Sequence, residues 1–229
     1  MFCGQLKLYA EDNKKYLTDV INESGVRLLI AIIPSKYKKE IQGWMKGMLD
    51  PIDEQSKKKA YDFFKTNLIE NAEIGKTVAL QKIHGYLFEG LYPYAGQIRK
   101  KTISKGGLAL ANGDLLAQIL NDIDKMPDSS FDEIVHKYVE MNIAHPFMEG
   151  NGRATRIWID MLLVDRIGKC VDWSAIEKND YLSAMRESPI DSTHLHDLLN
   201  NALTSNVDNM ELFLKGIDCS YYYEEVESI

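Results

Sequence analysis

Apolar residues recur along most of this chain at helical spacing. Between Lys57 and Leu91 the pattern is helical, with Tyr61, Phe64 and Leu68 and then Val78, Ile83 and Leu87 on apolar faces. Tyr92-Pro93-Tyr94-Ala95-Gly96 ends that run. From Gln97 to Ala111 the period changes. Ile98, Ile103, Leu108 and Leu110 stand among Thr102, Ser104 and a Gly106-Gly107 pair, which predicts a short β-hairpin or flap. Helical spacing returns at Leu115, Leu116, Ile119, Leu120 and Ile123. Ser130 followed three residues later by Glu133 is a capping box, and its helix carries Phe131, Ile134, Val135, Tyr138, Val139 and Asn142 on one side until Pro146 stops it. The next helix begins near Gly152 and runs to about Ile167, with Gly168 as its stop. Further helices are expected at 174–187, 193–204 and 208–215, and a last short one after Asp218 as N-cap.

Residues 1–50 are the least readable part. Tyr37, Ile41, Trp44 and Met45 among Lys36, Lys38, Lys39 and Glu40 suit a helix, whereas Val26 to Ile33 suits a strand equally well. Asp50-Pro51 breaks the pattern. The expected fold class is therefore all-α with a small hairpin, arranged as an N-terminal extension over 1–50 and one domain over 51–229.

Composition changes this picture only by exclusion. The 229 residues are 45% apolar and 27% charged, ordinary for a chain with one sizeable core. Thirty-four acids against 27 bases leave a net charge of −7, so a protein that coats nucleic acid is not expected. The longest apolar run, Leu28 to Ile33, is far short of the roughly 20 residues a spanning helix needs. No leader pattern opens the chain. Cys3, Cys170 and Cys219 are far apart and form no CxxC pair, which argues against a disulfide framework or a cysteine zinc site. A cytoplasmic protein with neither nucleic acid nor membrane as partner is the expectation.

Candidate chemistry is concentrated between two of the predicted helices, in His145-Pro146-Phe147-Met148-Glu149-Gly150-Asn151-Gly152-Arg153-Ala154-Thr155-Arg156. The first turn of a helix leaves four N–H groups unpaired, and two glycines flanking Asn151 let a ligand approach them. With the positive end of the helix dipole this makes an anion site suited to phosphate. Arg153 and Arg156, spaced i, i+3, leave the first turn on one side, and arginine pairs bidentately with phosphate oxygens; together they suggest a di- or triphosphate. No Walker A loop is present. Glu149 could hold magnesium beside substrate phosphates, and His145 is the natural general base. Pro146 lies between His145 and Glu149, so those two do not form a helical metal pair. The blander alternative is a simple turn with two surface arginines. His84 and His136 read as packed or surface residues, and His194 and His196 fall on different faces of a helix.

These twelve residues match every fixed position of HPFx[DE]GNGRxxR, and on them the chain resembles the Fic family over roughly residues 57–225. The resemblance implies a Fic-like helical bundle with a hairpin flap over the active site. It also implies Mg²⁺-dependent transfer of AMP from ATP to a Ser, Thr or Tyr hydroxyl of a target protein. In that reading His145 deprotonates the hydroxyl and Glu149 holds Mg²⁺. Gly150, Asn151 and Gly152 cradle the α- and β-phosphates, and Arg153 and Arg156 bind the β/γ end. Phe147 anchors the loop in the core. Asn142 either orients the loop or touches the nucleotide. Leu182 and Met185 close over the adenine or simply pack.

The flap segment carries Arg99, Lys100, Lys101 and Lys105 with no acid. On residues alone it is a solvated basic hairpin. The resemblance makes Thr102, Ile103 and Ser104 an edge on which a target docks by strand addition, with Lys105 near the nucleotide. In the tail, Ser220 and Glu224 are spaced i, i+4. They read as part of a terminal packing helix, or, by resemblance to the single-domain class with the pattern [ST]xxxE[GN], as an inhibitory helix over about 218–226 in which Glu224 occupies Arg156. Glu225 departs from that pattern. Tyr221, Tyr222 and Tyr223 are candidates for self-modification, and a homo-oligomer holding the inhibitory helix fits the class. The alternatives are transfer of another nucleotide, removal of AMP with Glu224 as base, and a catalytically silent binding module.

Overall fold

A computed structural model describes residues 3–9, 15–21, 51–63, 65–66, 73–105, 108–109 and 111–224. The chain divides into two units, Met1–Asp50 with Ser228–Ile229, and Pro51–Glu227. In the first, strand β1 (Cys3–Tyr9) pairs antiparallel with β2 (Lys15–Ile21), from Cys3 opposite Ile21 to Tyr9 opposite Lys15. The helix or strand expected between residues 26 and 45 lies outside the described residues.

The second unit opens with helix α1 (Pro51–Phe63), whose first turn holds Asp53 and Glu54 where the helix dipole favours acids. The continuous helical pattern from Lys57 to Leu91 is interrupted in space. α2 (Thr77–Phe88) starts afresh just after Gly75, which takes φ 85°, outside the helical region. Its start is capped from a distance: Asp124 accepts from the Thr77 N–H at 2.7 Å and from the Thr77 hydroxyl at 2.8 Å. The flap ladder, β3 (Ser104–Lys105) with β4 (Leu108–Ala109), is two residue pairs long. α3 (Leu116–Lys125) buries the stripe Leu116, Leu120 and Ile123. α4 (Phe131–Ala144) starts with the capping box read from sequence: the Ser130 hydroxyl accepts from the Glu133 N–H at 3.3 Å, and the Glu133 carboxylate accepts from the Ser130 N–H at 3.1 Å.

α5 (Asn151–Ile167) is the central helix, buried on nearly every side from Asn151 to Leu163 and ended by Gly168 at φ 65°. A helix buried all round must pair each polar side chain it carries, a demand that shapes the candidate site. After it come β5 (Cys170–Val171), a 3₁₀ turn (Trp173–Ala175), α6 (Lys178–Glu187), α7 (Thr193–Asn201), β6 (Leu203–Thr204) and α8 (Met210–Glu224). The expected helix 174–187 is split because two caps act in succession, Asp172 on Ser174 and Glu177 on Asn179 and Asp180. The expected helix 193–204 stops at Asn201, because Leu203 and Thr204 pair with β5 instead. The helices expected at 208–215 and after Asp218 are one helix, α8, which begins at Met210. Asp218 is not its cap but pairs with Lys57 of α1 at 2.6 Å and accepts from the Tyr61 hydroxyl. No helix among the described residues is long and apolar enough to cross a membrane.

Candidate active site

The loop between α4 and α5 is held in an unusual shape. His145 caps α4 in the left-handed region at φ 48° and ψ 63°, which costs energy for any residue with a β-carbon. Arg99 supports it from below. The Arg99 N–H donates to Pro146 O at 2.9 Å, and its buried guanidinium donates to His145 O at 2.7 Å and Ala144 O at 3.0 Å. The same guanidinium reaches Lys101 O at 2.6 Å and Ala111 O at 2.7 Å on the two sides of the flap stem. Arg99 is therefore no part of a solvated basic strip; backbone carbonyls left open by the helix end and the stem draw it inward.

Further support comes from His84 on α2. Its Nε2–H donates to Glu149 O at 2.8 Å, while its Nδ1 accepts from the Gly96 N–H at 2.9 Å, an arrangement that requires the neutral ring. Burial pushes its pKa down to about 4. Phe147 is buried and stacks on this imidazole with centroids 3.8 Å apart. The Asn151 side chain clasps the Phe147 backbone, accepting from its N–H and donating to its O, both at 2.8 Å. Asn151 thus spends its amide on the loop. Thr155 donates to Asn151 O at 2.9 Å and to Asn142 Oδ1 at 3.4 Å, and the Asn142 amide donates to Tyr138 O at 2.8 Å.

Arg153 and Arg156 do leave α5 together, but both are buried. Arg153 pairs with Asp53 of α1 and with Glu149 at 3.3 Å, and lies over the Phe88 and Tyr221 rings at 5.0 and 5.6 Å. Arg156 donates to Ser220 Oγ and Ser220 O, both at 2.8 Å, and to Glu224 Oε1 at 2.6 Å. Tyr181 and Tyr223 stack against its guanidinium at 5.6 and 5.4 Å. Burial works against this charge, but Tyr181 and Glu224 beside it more than offset that, and the guanidinium stays protonated. The Glu224 carboxylate also presses on the glycine turn. A β-carbon at Gly152 would meet its Oε1, so a side chain there would displace the Glu224 carboxylate from its present position.

The other predicted residues are placed as follows. His145 is half-buried and Glu149 exposed, with Glu149 Oε1 accepting from the Gly150 N–H at 3.0 Å. Gly150 is the N-cap of α5 and Gly152 lies in its first turn. Leu182 and Met185 pack half-buried against the core. Of the proposed docking edge only Ser104 belongs to β3, together with Lys105. Thr102 and Ile103 precede the ladder, and the Thr102 hydroxyl bonds to Asn112 at 3.3 Å. Tyr221 donates to Ser56 Oγ at 2.9 Å, and burial pushes its pKa up to about 12. Tyr223 donates to Trp173 O and Ile176 O at 2.9 and 2.8 Å, whereas Tyr222 is exposed. Arg99, His84, Asp53 and Tyr181 were missed by sequence reading. Only Arg99 carried a signal, as the one arginine in a lysine-rich flap.

Known proteins share part of this chain's sequence and the fold of its second unit. Residues 76–163 match the profile of the Fic/DOC family. The "probable protein adenylyltransferase Fic" of Escherichia coli K12 is 30% identical over 116 residues, covering 46% of this chain and 58% of that protein. Protein adenylyltransferase VbhT of Bartonella schoenbuchensis is 28% identical over 139 residues, covering 52% of this chain and 29% of that one. The chain thus spans from under a third to a little over half the length of these curated relatives. Among solved structures, BepC of Bartonella tribocorum with bound AMPPNP superposes with a TM-score of 0.58 at 21% identity, covering 69% of this chain and 90% of that one. The N-terminal Fic domain of a VirB-translocated Bep effector from Bartonella quintana, with bound ADP, gives 0.57 at 18% identity over 67% of this chain and 83% of that one. The fold of the second unit is the helical fold of these Fic domains.

Proposed function

We propose that this chain is a protein adenylyltransferase that moves AMP from ATP to a Ser, Thr or Tyr hydroxyl of a target protein, and that it is held inactive by Glu224. The observation that carries this reading is the Glu224–Arg156 ion pair at 2.6 Å, formed by a buried arginine at the mouth of an anion-binding helix start. Relatives that match about half of the chain are named for this activity, and two structures of the same fold hold adenine nucleotides.

The first turn of α5 presents its N–H groups toward the α- and β-phosphates, and Gly152 keeps that approach open. Arg153 and Arg156 take the β/γ end once their carboxylates let go. Glu149 suits Mg²⁺. It is one exposed carboxylate at the edge of the phosphate site, and this ion draws most of its ligands from phosphates and water. When bound, Mg²⁺ neutralises charge on the phosphates. His145 accepts the proton of the target hydroxyl as that oxygen bonds to the α-phosphorus and pyrophosphate leaves. Alignment and charge stabilisation carry the reaction, and the rigid loop supplies the first. Ser104 and Lys105 of β3, with Thr102 and Ile103 leading into it, offer the target an edge, and Leu182 and Met185 of α6 close over the base. Self-association that seats α8 belongs to the same proposal.

With Glu224 in place, Arg156 is occupied and ATP binds without a productive triphosphate pose. Glu224→Gly is expected to raise transfer of label from α-labelled ATP into lysate proteins about tenfold or more, and His145→Ala in that background to abolish it. Parallel reactions with labelled GTP, CTP and UTP test the base preference. A Glu224→Gly protein that labels nothing with any nucleotide overturns the reading.

A further inference from the structure

We infer that Arg99 is a positioning residue that ties the flap to the His145 loop, so that one buried guanidinium sets both the catalytic imidazole and the target-docking edge. This rests on the reading of the site as an AMP-transfer centre. Among the described residues, the partners of Arg99 are all carbonyl oxygens. Three are consecutive: Ala144, His145 and Pro146, the last reached by the Arg99 backbone N–H at 2.9 Å. They belong to the turn in which α4 ends and His145 takes its left-handed conformation. The other two, on Lys101 before β3 and Ala111 after β4, close the two sides of the flap stem at 2.6 and 2.7 Å.

Arginine suits this position because its donors form a rigid planar fork. Nε and Nη2 face the helix end while Nη1 and the second Nη2 hydrogen face the flap. A lysine ammonium is a point donor and cannot span both sides. A target strand that docks on β3 alters the stem, and Arg99 carries the change to the carbonyl of His145 itself. The stem is also tight by itself. The Gly113 N–H donates to the Thr102 hydroxyl at 3.3 Å, and a β-carbon at Gly113 would collide with the Lys100 carbonyl.

The test uses the Glu224→Gly protein with and without Arg99→Lys, and a second variant, Gly113→Ala, which wedges the stem open and leaves Arg99 intact. Hydrogen exchange, ATP affinity by titration calorimetry, and kcat and KM for label transfer are measured on each. Both variants are expected to speed exchange in residues 100–112 and 145–148 together while α5 stays protected. Affinity for ATP is expected to change less than about twofold, and kcat to fall about tenfold or more. Faster exchange confined to the flap, or a full kcat in both variants, overturns the inference. If the Glu224→Gly protein with Arg99 intact transfers no nucleotide, the functional reading fails, and the exchange data still decide whether Arg99 couples the two segments.

Discussion

His84 and Asp160 are single buried groups that make the protein respond to pH in opposite directions. His84 is neutral in the fold, with its pKa pushed from 6.5 down to about 4 by burial. The unfolded chain therefore binds a proton more readily, and the stability this ring contributes is complete above about pH 6.5 and lost as pH falls toward 4. Asp160 on α5 accepts from the Val171 N–H and the Trp173 indole at 2.9 and 2.7 Å, yet burial pushes its carboxyl up to about 7. Its contribution runs the other way, present at low pH and lost as pH rises between about 4 and 7. A difference measurement separates the two. The destabilisation caused by His84→Gln, read from urea unfolding, is expected to be smaller near pH 5 than near pH 7 by about 2 kcal/mol. An equal cost at both values would mean that the ring titrates normally in the fold. Proline and glycine punctuated the His145–Arg156 loop visibly in sequence, but the ring beneath it is 61 residues upstream of His145 and was read only as packed or surface.

At the scale of elements, α8 decides which tyrosines can react. Tyr221 and Tyr223 are buried with their hydroxyls donated to α1 and to the 3₁₀ turn region, whereas Tyr222, half exposed at 51%, points to solvent with Lys178 Nζ 4.5 Å from its ring. If self-modification occurs while α8 is docked, it falls on Tyr222. Incubating the Glu224→Gly protein, whose Arg156 is free to take phosphate, with ATP and Mg²⁺ is expected to add one AMP by intact mass, and none once Tyr222→Phe is added. Modification of Tyr221 or Tyr223 by peptide mapping would require α8 to leave Arg156 first. The continuity of α8 was not legible, because Asp218 reads as a cap wherever its partners are unknown. Lys57 and Tyr61 of α1 turn it into a mid-helix contact. The capping box at Ser130 was legible because both of its partners lie within one turn.

At the scale of the whole molecule, α1 and α8 close over the two arginines from different ends of the chain, Asp53 on Arg153 and Glu224 on Arg156. The two helices are joined to each other by Ser56–Tyr221 and Lys57–Asp218. Removing Asp53 leaves a buried guanidinium short of charge, which costs stability and makes an incoming phosphate more welcome. Asp53→Asn is therefore expected to melt lower than the parent without ligand, by about 2 kcal/mol of stability. In the Glu224→Gly background it is also expected to show a larger rise in Tm on adding ATP with Mg²⁺. A rise no larger than that of Glu224→Gly alone would mean that Asp53 does not compete with phosphate.

The sequence alone determined the helical class, the hairpin between helices and the loop that gathers His145, Glu149, the glycine turn and both arginines, because each depends on periodicity, capping or spacing within a turn or two. It could not determine where the charges went. A run of Arg99, Lys100 and Lys101 reads as solvated until carbonyls 45 residues away draw one of the three inside. Asp53 meets Arg153 across 100 residues, and Glu224 meets Arg156 across 68. Those pairings follow from burying α5 on all sides, since a buried cation must find its oxygen wherever the fold brings one, and only the tertiary structure decides which oxygen that is.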